Sequence, residues 1–243
     1  DHLVIFTNSL FCGSLIASRS SGAYDNIQED LQRLQDLLTN FKAREDAASV
    51  TVVQVLPRLS PNQFDSALYP YYDALTAYGQ AWDQADEAGE PAPASAEIPA
   101  DILQDYQNLH KESAQLAQSL DSLAADGLID QLLISQDDGT EHSPANITFR
   151  SLAEHSENTQ LLHGADELAM LLVSDLSAAD LAETPVRIIY SDEDAKTTTY
   201  PYEAIPLAEM TTQKLALAGL SEEQDAHTTL YIHCSSDDAE ATL

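Results

Sequence analysis

Residues 50–56 read VTVVQVL, a run in which apolar side chains occupy both alternating faces of a strand. Strands of this kind are typical of parallel sheets, because both faces of such sheets are covered. Pro57 ends the run. A similar run, LVIFT at residues 3–7, lies near the start of the chain. We therefore predict two buried strands of one parallel sheet.

Segments with helical spacing separate the predicted strands. Apolar side chains recur every three or four positions over residues 25–44, and the same spacing predicts a long helix over residues 101–126. A tyrosine-rich helix is predicted over residues 69–82, and a loop rich in Pro and Ala follows at residues 88–99. Further strands are predicted at residues 129–135, 160–163, 186–190 and 228–234, alternating with helices at residues 147–154, 167–176 and 204–217. This order predicts an α/β fold of βα units on a parallel sheet, either barrel-like or open and doubly wound, in a single domain over residues 1–243.

The charge balance excludes several kinds of partner. Asp and Glu number 41 against 10 Lys and Arg, so the formal net charge is −31. Such a surface repels phosphate backbones and anionic lipid headgroups, so we expect neither nucleic acid nor a membrane as partner. Gly-rich phosphate-binding loops are absent from the sequence, so we expect no cofactor. Two cysteines, Cys12 and Cys234, are too few for a disulfide scaffold, and no leader precedes the first strand, so we expect free thiols and a cytoplasmic location.

Polar side chains collect directly after the predicted strands. The residues in question are Asn8 after the first strand, Arg58 after the second, Asp137 and Asp138 after the third, and His163, Asp166 and Glu167 after the fourth. The carboxyl ends of parallel strands lie at one edge of a sheet, so we expect these groups to share a cleft. Crowded carboxylates there have raised pKa values, which suits a general acid. Four other histidines are expected at the surface: His110, His142, His155 and His227.

Three segments together carry a resemblance to a known family. They are DHLVIFTNSLFCGSLIASR at residues 1–19, LLISQDD at residues 132–138 and LLHGADELAMLL at residues 161–172, followed by VRIIYSDED and YEAIPLAEM. This succession resembles an uncharacterised bacterial family catalogued as domain of unknown function 4127. Its members look longer than this chain, which implies a central section of a larger α/β protein or a shortened relative. The chain departs from the pattern at GTEHSP and NLHKES, and these departures motivate a second hypothesis, a non-catalytic binding or scaffold domain.

The HGADEL turn at residues 163–168 is also similar to the GGDE turn of retaining β-N-acetylhexosaminidases. That resemblance implies hydrolysis of a glycoside of an N-acetylated sugar. Asp166 would orient the acetamido group and Glu167 would be the acid/base. Asp137 and Asp138 resemble the paired aspartates of other substrate-assisted glycosidases, so they are candidates to hold sugar hydroxyls. The other candidate substrate-binding residues are Arg19, Arg58 and His163, and the planar fork of an arginine suits bidentate pairing.

Two alternatives remain open from the residues themselves. The first is a divalent-metal hydrolase in which Mg²⁺ or Ca²⁺ is bound by carboxylates. Its candidate ligands are Asp137, Asp138, Asp166, Glu167 and Asp192. The second concerns the aromatic residues Tyr69, Tyr71, Tyr72, Tyr78 and Trp82. Their helical spacing is more typical of half-buried core than of a sugar-stacking platform.

Overall fold

The computed structural model describes residues 2–44, 48–137, 139–177 and 184–234. Its strands are β1 (His2–Phe6), β2 (Ser49–Leu56), β3 (Gln131–Gln136), β4 (Thr159–His163), β5 (Thr184–Tyr190), β6 (Leu220–Glu222) and β7 (Thr228–Ile232). Its helices are α1 (Thr7–Cys12), α2 (Ile27–Lys42), α3 (Tyr72–Glu87), α4 (Ala100–Ala125), α5 (Pro144–Ser151), α6 (Leu168–Ser177) and α7 (Leu207–Leu217).

Strands and helices alternate along the chain, and the strands form parallel sheets. The predicted α/β class is therefore confirmed. The chain separates into two compact units, residues 1–162 and residues 163–243, each with its own sheet. The single domain over residues 1–243 stays a prediction. Two short elements, α1 and β6, were not predicted.

The sheet of the first unit has the strand order β1-β2-β3-β4. β1 pairs with β2 in parallel, and so does β2 with β3. Each connection therefore steps to the next strand in the same direction. Right-handed crossovers that all step in one direction place their helices on one face of the sheet.

The main hydrophobic core of the first unit lies on that helix-covered face. Val52 and Leu56 of β2 and Ile134 of β3 belong to the same buried cluster as side chains of α2 and α4, among them Leu38 and Leu120. The side chains that alternate with these in β2 and β3 are buried as well. The apolar character of both faces of residues 50–56 thus corresponds to burial of both faces.

The sheet of the second unit has the order β6-β5-β7, with both outer strands parallel to β5. A small core of Tyr190, Ala195 and Cys234 lies at one end of β5, where Leu207 of α7 packs against it. The Ser191 hydroxyl accepts from the Cys234 N–H at 2.7 Å and donates to the Cys234 carbonyl at 3.0 Å, which joins the ends of β5 and β7. Cys12 and Cys234 are both free thiols.

Gly79 of helix α3 lies directly against the Tyr106 side chain of helix α4. A Cβ atom at this position would lie 2.4 Å from the Tyr106 hydroxyl oxygen and 2.6 Å from a methyl carbon of Leu59. The Tyr106 hydroxyl is fixed, because it donates to the Leu59 carbonyl at 2.7 Å and the side chain is 1% exposed. The absence of a side chain at Gly79 is therefore what permits this contact.

We expect Gly79→Ala to destabilise the protein by about 1–3 kcal/mol, because the added methyl overlaps buried atoms. Helix propensity alone predicts the opposite sign, with alanine favoured by about 1 kcal/mol. The control is Ala77→Gly on the exposed side of the same helix, which should cost about 1 kcal/mol through propensity. Urea unfolding measures both values. A Gly79→Ala protein as stable as wild type, or more stable, would contradict the close approach.

Candidate functional site

The carboxyl edge of the first sheet collects the polar groups that the sequence predicts there. Asn8 comes just after β1, Arg58 just after β2 and Asp137 directly after β3. Asn8 and Asp137 are buried, and Arg58 is half-buried. Asp138 lies outside the described residues. A segment between α1 and α2 brings Arg19 to the same edge, where it contacts Asp137.

The Asn8 side chain fastens the start of α1 to strand β2. Its Nδ2 donates to the Val55 carbonyl at 2.8 Å, and its Oδ1 accepts from the Val55 N–H at 2.8 Å. The amide thus continues the pairing of β1 with β2 after the backbone of β1 has turned into a helix. Nδ2 also donates to the Ser18 hydroxyl at 2.9 Å. Ser18 precedes Arg19, so this contact fixes the backbone position from which the Arg19 side chain extends.

The loop between β2 and α3 holds the other side of the Arg19 segment. Asn62 Nδ2 donates to the Ile16 carbonyl at 3.0 Å, and Asp65 Oδ2 accepts from the Ser21 N–H at 2.7 Å. Burial tends to raise the pKa of Asp65, but backbone N–H donors from Ser21, Leu68 and Ala67 outweigh it and lower that pKa. Asp65 is therefore an ionised carboxylate that links this loop to the segment carrying Arg19.

Arg19 and Asp137 form an ion pair at this edge. Their side chains are only 12% and 10% exposed. Removing two charges from water costs several kcal/mol, and removing only one of the partners leaves the other buried and uncompensated. The pair is therefore a fixed arrangement of an arginine fork and a carboxylate. Such an arrangement can bind the hydroxyl or carboxylate groups of a small polar ligand.

A layer of buried polar side chains lies between β2, β3 and helix α4. Gln54 donates to the Ser113 carbonyl at 2.8 Å, and Gln136 donates to the Ser143 hydroxyl at 3.0 Å. Among the residues that the structure describes, the Oε1 atoms of Gln54 and Gln136 and the Nε2 atom of His110 are buried without a hydrogen-bond partner. Buried polar atoms usually have partners, so these three atoms are exceptions to that rule.

His110 is buried, so the expectation that it lies at the surface is wrong. It is 5% exposed, with its ring centroid 4.7 Å from that of Tyr106 and 6.3 Å from that of Trp82. Burial lowers the pKa of His110 to about 3, because this apolar setting disfavours the imidazolium ion. The imidazole is therefore neutral at ordinary pH.

A second buried network orders the segment that follows QDD. Asp83 on α3 is 1% exposed and accepts from the Arg150 guanidinium at 2.6 Å and from the Ser143 N–H at 3.0 Å. It also accepts from the Asn146 amide at 3.0 Å. Sequence analysis did not identify Asp83. Residues 141–150 are thus anchored to α3, and the Ser143 hydroxyl caps α5 by accepting from the Ala145 N–H.

The second unit contains the GADE turn, which runs from the end of β4 to the start of α6. Gly164 has φ +89°, and a Cβ there would collide with Glu167 and Lys214 atoms, so this turn requires glycine. Asp166 is exposed, and the Glu167 side chain is 37% exposed. Lys214 of α7 pairs with Glu167 and also donates to the His163 carbonyl. Sequence analysis did not identify Lys214.

His163 is oriented by α7 as well. Its Nδ1 lies 3.4 Å from Gln213 Oε1, and its backbone N–H donates to the same oxygen at 3.3 Å. Burial lowers the pKa of His163, and it outweighs the opposing effects of Gln213 and Glu209. Among the candidate residues, the structure thus joins Arg19 with Asp137 in the first unit and Glu167 with His163, through Lys214, in the second.

Metal ions were the sequence-based alternative for these carboxylates. Across the described ranges, no group of three or more His, Cys, Asp or Glu side chains is arranged to hold a metal ion. Asp192 lies at the carboxyl end of β5, where its side chain accepts from the Asp194 N–H at 3.0 Å. None of the helices in the described part of the chain is long and apolar enough to cross a bilayer.

Comparison with known proteins identifies a family. A family model described as "Protein of unknown function (DUF4127)" matches residues 1–242. The chain belongs to this family. The resemblance carried by the QDD and GADE segments is thereby confirmed at the level of the family. No curated protein and no solved structure matches the chain.

The Arg19–Asp137 pair leads to a prediction about stability. We expect Arg19→Gln and Asp137→Asn each to lower the free energy of unfolding by about 2–4 kcal/mol, because each substitution leaves a buried charge without its partner. The double variant should lose about 1–3 kcal/mol less than the sum. As the control, the exposed pair of Arg33 and Glu29 on α2 should show a coupling of about 0.5 kcal/mol or less. Strictly additive losses for Arg19 and Asp137 would rule out the ion pair.

His110 leads to a prediction about pH. The unfolded chain binds a proton at His110 below about pH 6.5, whereas the folded protein does so only near pH 3. Stability is therefore lost as the pH falls from 6.5 towards 3. Between pH 7.5 and pH 5.0, wild type should lose about 2 kcal/mol more than His110→Phe, since each pH unit below 6.5 contributes about 1.4 kcal/mol. Urea unfolding across this range tests the slope, and parallel curves for the two proteins would show that His110 titrates normally.

Proposed function

We propose that this protein is a glycoside hydrolase acting on a glycoside of an N-acetylated sugar, with Glu167 as acid/base and Asp166 as the residue that orients the substrate. The observation that carries the proposal is the turn at residues 164–167. It places two consecutive carboxylates directly after a strand of a parallel sheet, one exposed and one 37% exposed. Both carboxylates can therefore contact a substrate that arrives from solvent. A carboxylate that only caps a helix does not need such exposure.

The two carboxylates suit the two tasks of substrate-assisted hydrolysis. Asp166 would accept a hydrogen bond from the acetamido N–H, so that the acetamido carbonyl oxygen attacks the anomeric carbon. Glu167 would give its proton to the leaving glycosidic oxygen and later take one from the attacking water. Consecutive residues of a turn point in different directions, so one can reach the ring substituent and the other the glycosidic bond.

The ion pair between Lys214 and Glu167 must be broken before Glu167 can act as an acid. The ammonium group pairs with the carboxylate in the structure, whereas an acid must carry a proton. The proposal therefore includes displacement of Lys214 from Glu167 when a sugar enters. Lys214 is well placed to stabilise the Glu167 carboxylate again after the proton has been transferred.

The remaining candidate residues are proposed to bind the substrate. Arg19, Arg58, Asp137 and Asp138 would hold sugar hydroxyls, and His163 would do so in the second unit. The proposal involves a glycan as the partner, with neither nucleic acid nor a membrane, and the net charge of −31 supports that choice. It also includes a cytoplasmic location, which the two free thiols support.

A second candidate function is non-catalytic binding of a sugar. Ion pairing of two of the candidate carboxylates favours it, because Asp137 is held by Arg19 and Glu167 by Lys214. A carboxylate fixed by a cation is a hydrogen-bond acceptor of stable geometry, which serves binding as well as catalysis. The two candidates differ in turnover, so one experiment separates them.

We expect wild type to hydrolyse aryl β-N-acetylhexosaminides. Glu167→Gln and Asp166→Asn should each lower kcat/KM by about 100-fold or more, since general acid–base catalysis contributes factors of this size. The measurement is release of the aryl alcohol, with thermal melting to check the fold. Glu223→Gln and Asp225→Asn, at exposed acidic positions of the same unit, are the matched controls and should leave the rate unchanged.

Activity that survives both Glu167→Gln and Asp166→Asn would remove the proposed roles. Binding of the same sugars by calorimetry, with no hydrolysis by wild type, would establish the non-catalytic candidate instead. A rate that falls equally in the control variants would assign the loss to surface charge rather than to the GADE turn.

A further inference from the structure

Two tyrosines at the start of α3 are exposed to solvent. Tyr69 lies in the short 3₁₀ turn Tyr69–Tyr71 and Tyr72 is the first residue of α3, and these two side chains are 46% and 40% exposed. Tyr78 and Trp82, farther along the same helix, are buried. The core interpretation of the tyrosine-rich stretch therefore holds for Tyr71, Tyr78 and Trp82 and fails for Tyr69 and Tyr72.

The two exposed rings line a shallow depression of about 550 Å³. Their centroids are 5.8 Å apart and their planes meet at 68°. Pro70, Tyr71 and Glu97 of the Pro/Ala-rich loop also line it. This loop therefore supplies a carboxylate to the same depression as the aromatic pair.

The depression has a rigid base. Tyr71 and Ala74 pack against the main core, and Ile98, next to Glu97, is 4% exposed within that core. The Tyr69 N–H donates to the Asp65 carbonyl at 2.9 Å. Asp65 is the residue that also holds the Arg19 segment through the Ser21 N–H. The tyrosine pair is therefore tied by one residue to the segment that carries Arg19.

The charges around the depression select the chemistry of its ligand. Asp73 and Glu97 both line it, and both are acceptors that repel anions. The tyrosine hydroxyls can donate to the carbonyls of a proline-rich peptide, but its backbone has few N–H donors for the carboxylates of Asp73 and Glu97. A neutral sugar offers an apolar C–H face for an aromatic ring and hydroxyl donors for the carboxylates. Aromatic faces with a few carboxylates at the rim thus fit a neutral oligosaccharide.

We propose that Tyr69 and Tyr72, with Glu97 and Asp73, form an additional subsite that binds an oligosaccharide of N-acetylated sugars. This inference rests on the proposed function for the identity of the sugar, and it adds a binding surface of the first unit to the roles proposed for the GADE turn. The subsite binds long oligosaccharides more tightly than short ones and leaves the reaction on an aryl monosaccharide unchanged.

The test is calorimetric binding of β-1,4-linked N-acetylglucosamine oligomers, comparing the disaccharide with the pentasaccharide. Wild type should bind the pentasaccharide more tightly. Tyr69→Ala and Tyr72→Ala should each weaken pentasaccharide binding about three- to tenfold, the range expected for loss of one aromatic contact, and should leave the kcat/KM for an aryl monosaccharide glycoside unchanged. Tyr72→Phe should retain the binding. Tyr231→Ala, at a tyrosine of β7 that is 60% exposed, is the control and should have no effect.

Each outcome decides between the two proposals. Unchanged pentasaccharide affinity in both alanine variants, or tyrosine-dependent binding of a polyproline peptide without binding of the oligomers, overturns the subsite. If the aryl glycoside is hydrolysed while the tyrosine substitutions leave pentasaccharide affinity unchanged, only the subsite proposal is wrong. If pentasaccharide binding depends on the tyrosines but wild type hydrolyses nothing, the subsite stands and the catalytic proposal fails. Equal melting temperatures for all variants exclude a loss of folding as the cause.

Discussion

The carboxyl edge of the first sheet depends on one side-chain amide. Asn8 makes two hydrogen bonds to the backbone of Val55, which another residue of β1 would otherwise make. Because the side chain takes over the pairing, the backbone of β1 is free to turn into α1 at Thr7. The same amide reaches Ser18 and so fixes the approach of the Arg19 segment. Asn8 on one side and the Asn62 and Asp65 side chains on the other therefore position the segment that carries Arg19 to its pair with Asp137.

Sequence patterns predicted the parts of the fold that repeat a simple spacing. Runs that are apolar on both faces identified β2 and β3, and helical spacing identified α2 and α4, because burial imposes those periods directly. α1 was not predicted because TNSLFC is short and no side chain caps the start of the helix. β6 has only three residues, too few for any period. Its existence depends on pairing with β5, a contact that local sequence does not encode.

The candidate site was likewise predicted only in part from the sequence. The rule that ligand groups follow parallel strands correctly placed Asn8, Arg58 and Asp137 at one edge. The Lys214 partner of Glu167 was not evident from sequence, because it lies 47 positions later along the chain. Asp83 was missed because it contacts Ser143 from a distant part of the chain. His110 could not be placed from sequence either, since its burial depends on how α4 packs against the sheet. Tertiary packing, not residue type, decided these positions.

The burial of Trp82 has a practical consequence. It is the chain's single tryptophan, and its ring lies 6.3 Å from the imidazole of His110 and under the side chain of Lys111. Ultraviolet light at wavelengths that tryptophan absorbs and tyrosine does not therefore excites only Trp82, whose position in the first unit is known. Its emission colour and lifetime report on the α3–α4 contact, without any label attached to the molecule.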